Sequence, residues 1–209
     1  MTLGIDELAT FCKRKGFVFP TAEIYGGLQG FYDYGPLGVE LKENIKRLFW
    51  QDFVSQNEYI VGMDGSIITH PLVWHASEHV TKFLDIISKC KSCGTSVRVD
   101  TLIEEVTGKL VEGKPLNQIT AIMKQLKLKC PKCGTPLTEA KEFRLMFETN
   151  IGPEVSDKSR GYLRPETAQL IFADFKTIFQ TSRLKLPFGI AQMGKAFRNE
   201  ISPRNFLFR

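Results

Sequence analysis

The sequence predicts an α+β protein that carries an inserted cysteine-rich module. Apolar residues recur at helical spacing over 37–55, while 65–73 and 142–149 are typical of strands. Two Cys-x-x-Cys pairs, at 90–93 and 130–133, enclose a segment with a helical pattern of its own. The 209 residues, of which 43% are apolar, suit one large domain or one domain with an insertion.

Composition excludes some classes of function and leaves others open. The chain lacks an apolar run of about 18 residues, so no transmembrane helix is expected. Its N-terminus lacks the pattern of a secretory signal, which favours a cytoplasmic protein. The net charge of +5 permits a polyanionic partner without requiring one. Five cysteines in a chain without a signal indicate metal binding rather than disulfides.

The first third of the chain is predicted to hold two helices and one strand. A short opening helix places Cys12 among its apolar residues, where it is expected to be a core residue. Pro36 precedes the long helix predicted over 37–55. In the strand predicted over 65–73, Pro71 cannot donate a ladder hydrogen bond, which favours an edge position.

The rest of the chain is predicted to contain further helices and strands. A helix is predicted to start near Pro115, inside the cysteine-bounded segment. A strand over 142–149 follows, and Pro165 is predicted to open a further helix at its first position. Strands are predicted over 188–193 and 196–201.

The paired cysteines predict a structural zinc site. Each Cys-x-x-Cys pair can present two thiolates to one tetrahedral zinc, and a glycine after each pair allows the sharp turn. Four sulfur ligands leave no open position for catalysis. Two redox pairs or four free thiols are the alternatives. The predicted ligands are Cys90, Cys93, Cys130 and Cys133.

The three histidines lie close together in sequence, at His70, His75 and His79. The run from His75 to His79 matches the H-x-x-E-H pattern of one class of metalloprotease, and on a single helix both would share a face. Without a third ligand in context, capping, packing or hydrogen bonding is favoured over a metal site.

The tetrapeptide Phe-Arg-Asn-Glu at 197–200 lies on a predicted strand. Because side chains two residues apart point to the same side, Arg198 and Glu200 should face one way. An arginine beside a carboxylate suits a substrate with an anion and an amine, such as ATP or an amino acid. A salt bridge across the sheet without a function is the alternative.

Longer stretches around these residues resemble one family. The run FRNEISPR at 197–204 resembles motif 2 of class II aminoacyl-tRNA synthetases, most closely the homodimeric glycyl type. YDYGPLG at 32–38, with the following helix and Pro71, resembles the motif 1 region. LMF at 145–147 with the following IGP, and YLRPETAQ at 162–169, resemble two further stretches of the family in the same order.

The resemblance implies a class II synthetase-like antiparallel sheet flanked by helices, with an inserted four-cysteine zinc module. The implied division is 1–89 for the motif 1 part of the catalytic domain, 90–133 for the zinc insertion and 134–209 for its continuation through motif 2. The implied reaction activates glycine with ATP, accompanied by Mg²⁺, and loads it onto tRNA(Gly). A homodimer through the motif 1 region is also implied.

Residue roles follow from the same resemblance. Arg198 and Glu200 would be catalytic, with Arg198 at the α-phosphate and Glu200 at the adenine or ammonium side. Glu166 would bind the glycine ammonium, although an acidic residue in a first helical turn also suits the helix dipole. Arg98 would contact the substrate, with a solvated arginine as the alternative. ATP binding is implied for Arg198, Asn199, Glu200, Phe208 and Arg209.

Some positions differ from the family, which usually has glycine at Glu78 and Leu170. The chain is also expected to stop inside motif 2, before motif 3 and an anticodon-binding domain. The 209 residues alone are therefore expected to be inactive without a C-terminal remainder. A non-catalytic synthetase-like binding module and a zinc-ribbon nucleic-acid-binding protein are the alternative functions.

Overall fold

The structure is a computed structural model that describes residues 4–111, 113–201 and 206–207. The described residues form two compact units. Within the described residues, the first unit draws on 4–65, 170–195 and 206–207, and the second on 66–111, 113–169 and 196–201. None of the helices in the described ranges combines the length and the apolar character that a membrane span needs.

Helices and strands are interspersed along the described residues. The helices are α1 (Ile5–Arg14), α2 (Pro36–Trp50), α3 (Pro71–Ala76), α4 (His79–Lys82), α5 (Val99–Thr107), α6 (Leu116–Gln125) and α7 (Ala168–Ser182). The strands are β1 (Val18–Pro20), β2 (Tyr32–Tyr34), β3 (Ile60–Gly62), β4 (Ile68–Thr69), β5 (Leu84–Lys89), β6 (Ser96–Arg98), β7 (Lys141–Arg144), β8 (Glu148–Asn150), β9 (Arg160–Leu163) and β10 (Gly189–Ala191). The mixture of helices and mostly antiparallel strands confirms the α+β prediction.

In the first unit, α2 is the longest element before α7. Pro36 occupies its first turn, and the helix passes at Gln51 into a π-helical segment that ends at Ser55. The helix predicted over 37–55 is thus confirmed in extent, with a wider last turn. Gly38 lies so close to the backbone of Phe17 that a Cβ atom would collide with its carbonyl group. This close approach requires glycine at that position of the motif 1-like segment.

Two small sheets complete the first unit. Strands β1 and β2 pair antiparallel, whereas β3 and β10 pair parallel, with Ile60 opposite Gly189. The parallel pair departs from the antiparallel sheet expected. The predicted strand over 188–193 is confirmed in its central part.

Cys12 on α1 is only half-buried, and α1 has no buried residue, so the prediction of a core cysteine is wrong.

In the second unit, two three-stranded antiparallel sheets have the strand orders β4-β9-β8 and β6-β5-β7. Trp74, Met146 and Tyr162 form a buried cluster beside the first of these sheets. A larger cluster lies among α5, α6 and the cysteine pairs, and its buried members are Val99, Ile103, Val111, Ile119, Met123 and Leu128. The helix predicted near Pro115 is α6, which supplies part of this core.

Pro71 begins a helix, so the predicted strand over 65–73 is confirmed only at its centre, as β4. The fixed φ of proline suits the first helical position, and His70 caps the helix by accepting a hydrogen bond at Nδ1 from the Leu72 N–H, at 3.2 Å. Helix α3 ends at Ala76, and Glu78 takes a left-handed φ of 61° before α4. The family's usual glycine at this position therefore has a conformational reason.

Three other predicted boundaries were wrong. The strand predicted over 142–149 is two strands, β7 and β8, separated by residues 145–147. Helix α7 begins at Ala168 rather than at Pro165, so Glu166 precedes the helix. Residues 196–201 do not belong to a strand, because their backbone hydrogen bonds go to two different segments.

Candidate functional site

The four paired cysteines form one cluster. Their Sγ atoms all lie within 4.8 Å of one another, and the nearest contacts cross between the pairs: Cys90 to Cys133 at 3.4 Å and Cys93 to Cys130 at 3.6 Å. A tetrahedral zinc with Zn–S bonds of about 2.3 Å requires sulfur separations of about 3.8 Å. The donor set and its spacing therefore fit zinc, and four thiolates would complete its coordination.

The two cysteine pairs have the same backbone conformation. The Cys90 N–H donates to the Thr95 carbonyl at 2.9 Å, and the Gly94 N–H donates to the Cys90 carbonyl at 3.0 Å. The equivalent bonds of the second pair measure 2.8 and 2.9 Å, and Gly94 and Gly134 both have a φ of +71°. Two matching knuckles that face each other are typical of a zinc ribbon and not of redox pairs, which would join cysteines within a knuckle.

Threonines beside the knuckles favour the thiolate form that a metal requires. The Thr95 hydroxyl lies 3.2 Å from Cys93 Sγ, and hydrogen bonding from Thr95 lowers the pKa of Cys93 to about 6. Thr135 lowers the pKa of Cys133 in the same way, whereas at Cys90 the backbone hydrogen bond from Cys93 is outweighed by burial and the neighbouring thiols, which raise the pKa of Cys90 to about 11. Among the described residues, no other group of three or more His, Cys, Asp or Glu could hold a metal. His75 and His79 lie on different short helices, which removes the basis for the protease pattern.

Glu166 is the centre of a second cluster. Its Oε1 atom lies 3.5 Å from His79 Nε2 and accepts a hydrogen bond from the Gln169 side chain. Its Oε2 atom lies 3.7 Å from Arg198 Nη2. The side chains of Glu166 and Arg198 remain 36% and 44% exposed, so a ligand could reach both. The residues predicted to contact glycine and ATP are therefore neighbours.

Several contacts fix the position of Arg198. Its Nε–H donates to the Pro165 carbonyl at 3.2 Å, and its guanidinium lies over the Phe83 ring, 5.1 Å from the ring centre. The adjacent amides donate to two separate segments: Phe197 to the Arg164 carbonyl at 2.9 Å and Asn199 to the Leu145 carbonyl at 2.8 Å. An arginine held by its backbone neighbours and its own Nε retains donors for an anion.

Arg98 lies at the end of β6 and contacts two acidic side chains. Its Nη2 and Nε atoms lie 2.6 and 3.2 Å from the two carboxylate oxygens of Asp100, and Nη2 lies 3.5 Å from Asp85. Asp85 is on β5, two residues after Phe83.

The structure brings two of the predicted site residues, Glu166 and Arg198, together. Arg98, Glu166, Arg198 and Asn199 belong to the second unit, and Glu200, also there, is half-buried. Phe208, Arg209 and the loop 202–205 lie outside the described residues. Sequence reasoning missed the contacts made by His79, Gln169 and the two aspartates. Gln169, three residues after Glu166, and Asp100, two residues after Arg98, are close enough in the sequence to give a local signal.

The comparisons with known proteins agree with the resemblance. No protein-family model matches the chain. Glycine–tRNA ligase from Caldanaerobacter subterraneus subsp. tengcongensis is 48% identical over 211 residues, covering 98% of this chain and 46% of the relative. The glycine–tRNA ligases of Geobacillus kaustophilus and Treponema denticola are 47% and 46% identical, with 100% and 99% of this chain covered.

The chain is homologous to the glycine–tRNA ligases. It spans about half the length of the curated relatives that it matches: 47% of the Geobacillus kaustophilus protein and 42% of the Treponema denticola protein. Because the alignment covers nearly all of this chain, the glycine–tRNA ligase relationship extends to the zinc knuckles and to the segments around Glu166 and Arg198.

Proposed function

We propose that the chain takes part in activating glycine with ATP and joining it to tRNA(Gly). The observation that carries this proposal is the accessible Glu166 carboxylate beside the accessible Arg198 guanidinium, in a chain 46–48% identical to glycine–tRNA ligases. A carboxylate suits an ammonium group and an arginine suits a phosphate, so adjacent sites would bring the two substrates together.

In this proposal the reaction depends on position and charge. The glycine carboxylate attacks the α-phosphorus of ATP, and pyrophosphate leaves. Glu166 binds the glycine ammonium, while Arg198 holds the α-phosphate where negative charge develops. Glu166 Oε2 and Arg198 Nη2 lie 3.7 Å apart, and the substrates would exchange this contact for their own charged groups. Mg²⁺ bound with ATP would neutralise phosphate charge.

The remaining predicted residues are assigned to the same two substrates. Arg98 is proposed to contact glycine, and Asn199, Glu200, Phe208 and Arg209 to contact ATP. Glycine offers no side chain to bind, so selection would depend on a pocket that excludes a methyl group.

The fold and assembly proposed are those of a class II synthetase. The chain would be divided into three segments, residues 1–89, 90–133 and 134–209. Zinc in the second segment would be structural, because four thiolates fill its coordination. The α2 region has several exposed apolar residues, which favours a homodimer through this helix. These residues are Leu37, Leu41, Ile45, Leu48 and Phe53.

The test is glycine-dependent exchange of pyrophosphate into ATP, measured on this chain alone and on the chain completed to the length of its relatives. We expect activity only with the C-terminal remainder, which supplies the residues that bind the outgoing pyrophosphate. Efficient exchange by the 209 residues alone would contradict the need for a remainder. RNA binding by the completed chain without any exchange would favour the binding-module alternative.

Two substitutions test the assigned roles. Arg198→Ala should reduce exchange by about 10²–10³, the usual loss for one transition-state charge contact. Arg160→Ala is the matched control, since Arg160 pairs with the exposed Asp157 at 2.7 Å. Glu166→Ala should raise the KM for glycine more than the KM for ATP. Equal effects on both substrates, or a loss below about threefold for Arg198→Ala, would reject these roles.

A further inference from the structure

The imidazole ring of His79, at the start of α4, lies beside the Glu166 carboxylate. Its Nε2 atom is 3.5 Å from Glu166 Oε1, and its side chain is 15% exposed. The centre of the ring lies 5.4 Å from that of the Trp74 ring and 5.3 Å from that of the Phe83 ring. The imidazole is therefore held by packing against two aromatic side chains, while the carboxylate that it contacts is accessible to a ligand.

The other ring nitrogen indicates where the proton of a neutral His79 ring lies. Nδ1 is 3.2 Å from the Ser77 carbonyl oxygen and 2.9 Å from the Ser77 hydroxyl oxygen. A carbonyl can only accept a hydrogen bond, and the hydroxyl uses its one proton on the Val73 carbonyl, at 2.9 Å. Both contacts therefore assign a proton to Nδ1. Nε2, the atom nearest Glu166, then carries a proton only when the ring is charged.

This assignment gives Glu166 two different surroundings. A charged ring donates from Nε2 toward Oε1 and forms an ion pair with the carboxylate. A neutral ring directs the lone pair of Nε2 toward the same oxygen, so the carboxylate keeps its full charge for another cation. Because an imidazolium and an ammonium group repel each other when both approach one carboxylate, only one of them can pair with Glu166 strongly.

Other ionisable groups surround the ring, but they are of types that ordinarily keep one charge state between about pH 5 and 8, whereas histidine does not. Three of them line a small cavity together with His79, and others lie beside Glu166 or on α4. These groups are Arg144, Glu148, Tyr162, Glu166, Arg198, Glu78 and Lys82. Arg144 pairs with Glu148 at 3.1 Å. A change of charge in this range at the centre of the cluster is therefore a change at His79.

We propose that His79 is a positioning residue that acts through Glu166: its neutral ring leaves the carboxylate to the glycine ammonium, and its charged ring occupies the carboxylate instead. This inference rests on the proposed function, in which Glu166 binds that ammonium. The Gln169 side chain donates to Glu166 Oε1 and holds the carboxylate whether or not His79 is charged. The apparent affinity for glycine then falls in proportion to the fraction of molecules whose ring is neutral.

The experiment is glycine-dependent exchange by the completed chain at several pH values. Between about pH 8 and about pH 5.5 the KM for glycine of the parent should rise about tenfold, because the ring gains its proton in this range. The kcat at saturating glycine and the KM for ATP should change by less than about threefold, because competition at one carboxylate affects only the ligand that binds there. In His79→Gln, which cannot gain a charge, the glycine KM should rise less than about twofold over the same range.

His75→Gln is the matched control, since His75 is an exposed histidine on the neighbouring helix α3. It should keep the pH profile of the parent. A glycine KM that rises equally with acid in the parent and in His79→Gln would overturn the role of His79 and leave the proposed function intact. Absence of exchange in the parent at every pH would reject the proposed function, and this inference with it.

Ser77→Ala provides a second test if His79→Gln fails to fold, which circular dichroism would detect. The Ser77 hydroxyl accepts from Nδ1, and such a bond is stronger when the donor ring is charged. Its removal should therefore move the rise in the glycine KM to a pH lower by about half a unit or more. An unchanged pH profile in Ser77→Ala would contradict the assigned proton and the inference.

Discussion

Replacing one zinc ligand should release the metal and unfold the module around it. Structural zinc contributes about 10–16 kcal/mol in small zinc-binding peptides, or about 2.5–4 kcal/mol for each of four ligands. A typical domain is stable by only about 5–15 kcal/mol, so losing one thiolate removes a large share. The serine in Cys133→Ser is shorter and stays protonated near neutral pH, so it cannot replace the thiolate.

The effect should be local, because the buried core of the module lies beside the metal site. Helices α5 and α6 supply Val99, Ile103, Ile119 and Met123 to that core. In Cys133→Ser, amides of both helices should exchange hydrogen much faster than in the parent, while α7 serves as an internal reference.

The assay is zinc content per chain after dialysis, followed by hydrogen exchange with mass spectrometry. We expect about one zinc in the parent and in Cys12→Ser, whose cysteine lies outside the cluster. Cys133→Ser should retain much less. Full zinc content and unchanged protection of α5 and α6 in that variant would refute the assignment of the four ligands.

Three further predictions concern stability. Because the pKa of Asp100 is lowered in the folded protein, its charged carboxylate stabilises the fold above the unfolded pKa of about 3.9, and this stabilisation is lost as the pH falls below that value. In acid titrations followed by circular dichroism, Asp100→Asn should therefore lose less stability than the parent over that range. Glu78→Gly should raise the free energy of unfolding by about 0.5–1 kcal/mol because it relieves the left-handed φ of 61°; no gain in urea denaturation would argue against strain there. Ile119→Ala should lower that free energy by about 2–5 kcal/mol, whereas Leu110→Ala, at a residue 83% exposed, should stay within about 0.5 kcal/mol; equal losses would show that the module core is misplaced.

Local sequence signals predicted some elements well. The proline at 36 and the apolar spacing after it located α2, because both depend on residues close together in the chain. The four-cysteine cluster was equally predictable, since each knuckle is encoded within five residues and a tetrahedral metal site requires both. The π-helical end of α2 has no sequence signal, because the wider turn depends on how the segment packs.

Other features depended on distant partners and were predicted poorly. Pro71 is compatible with an edge strand or a first helical turn, and the hydrogen bond by which His70 caps the segment stabilises the helix. Residues 196–201 have strand composition, but their amides bond to the carbonyls of Arg164 and Leu145 rather than to one partner strand. Likewise, nothing near Arg98 in the sequence indicates that Asp85 contacts it, because that contact requires the pairing of β5 with β6.

The parallel pairing of β3 with β10 has a consequence for the order of folding during synthesis. Ile60 cannot meet Gly189 until the ribosome has added the 129 residues that separate them, which takes roughly 6–26 s at about 5–20 residues per second. Most of the second unit is encoded within that interval and can fold first. Until then β3 lacks the strand with which it pairs in the folded protein, so its unpaired edge is what a chaperone would have to protect.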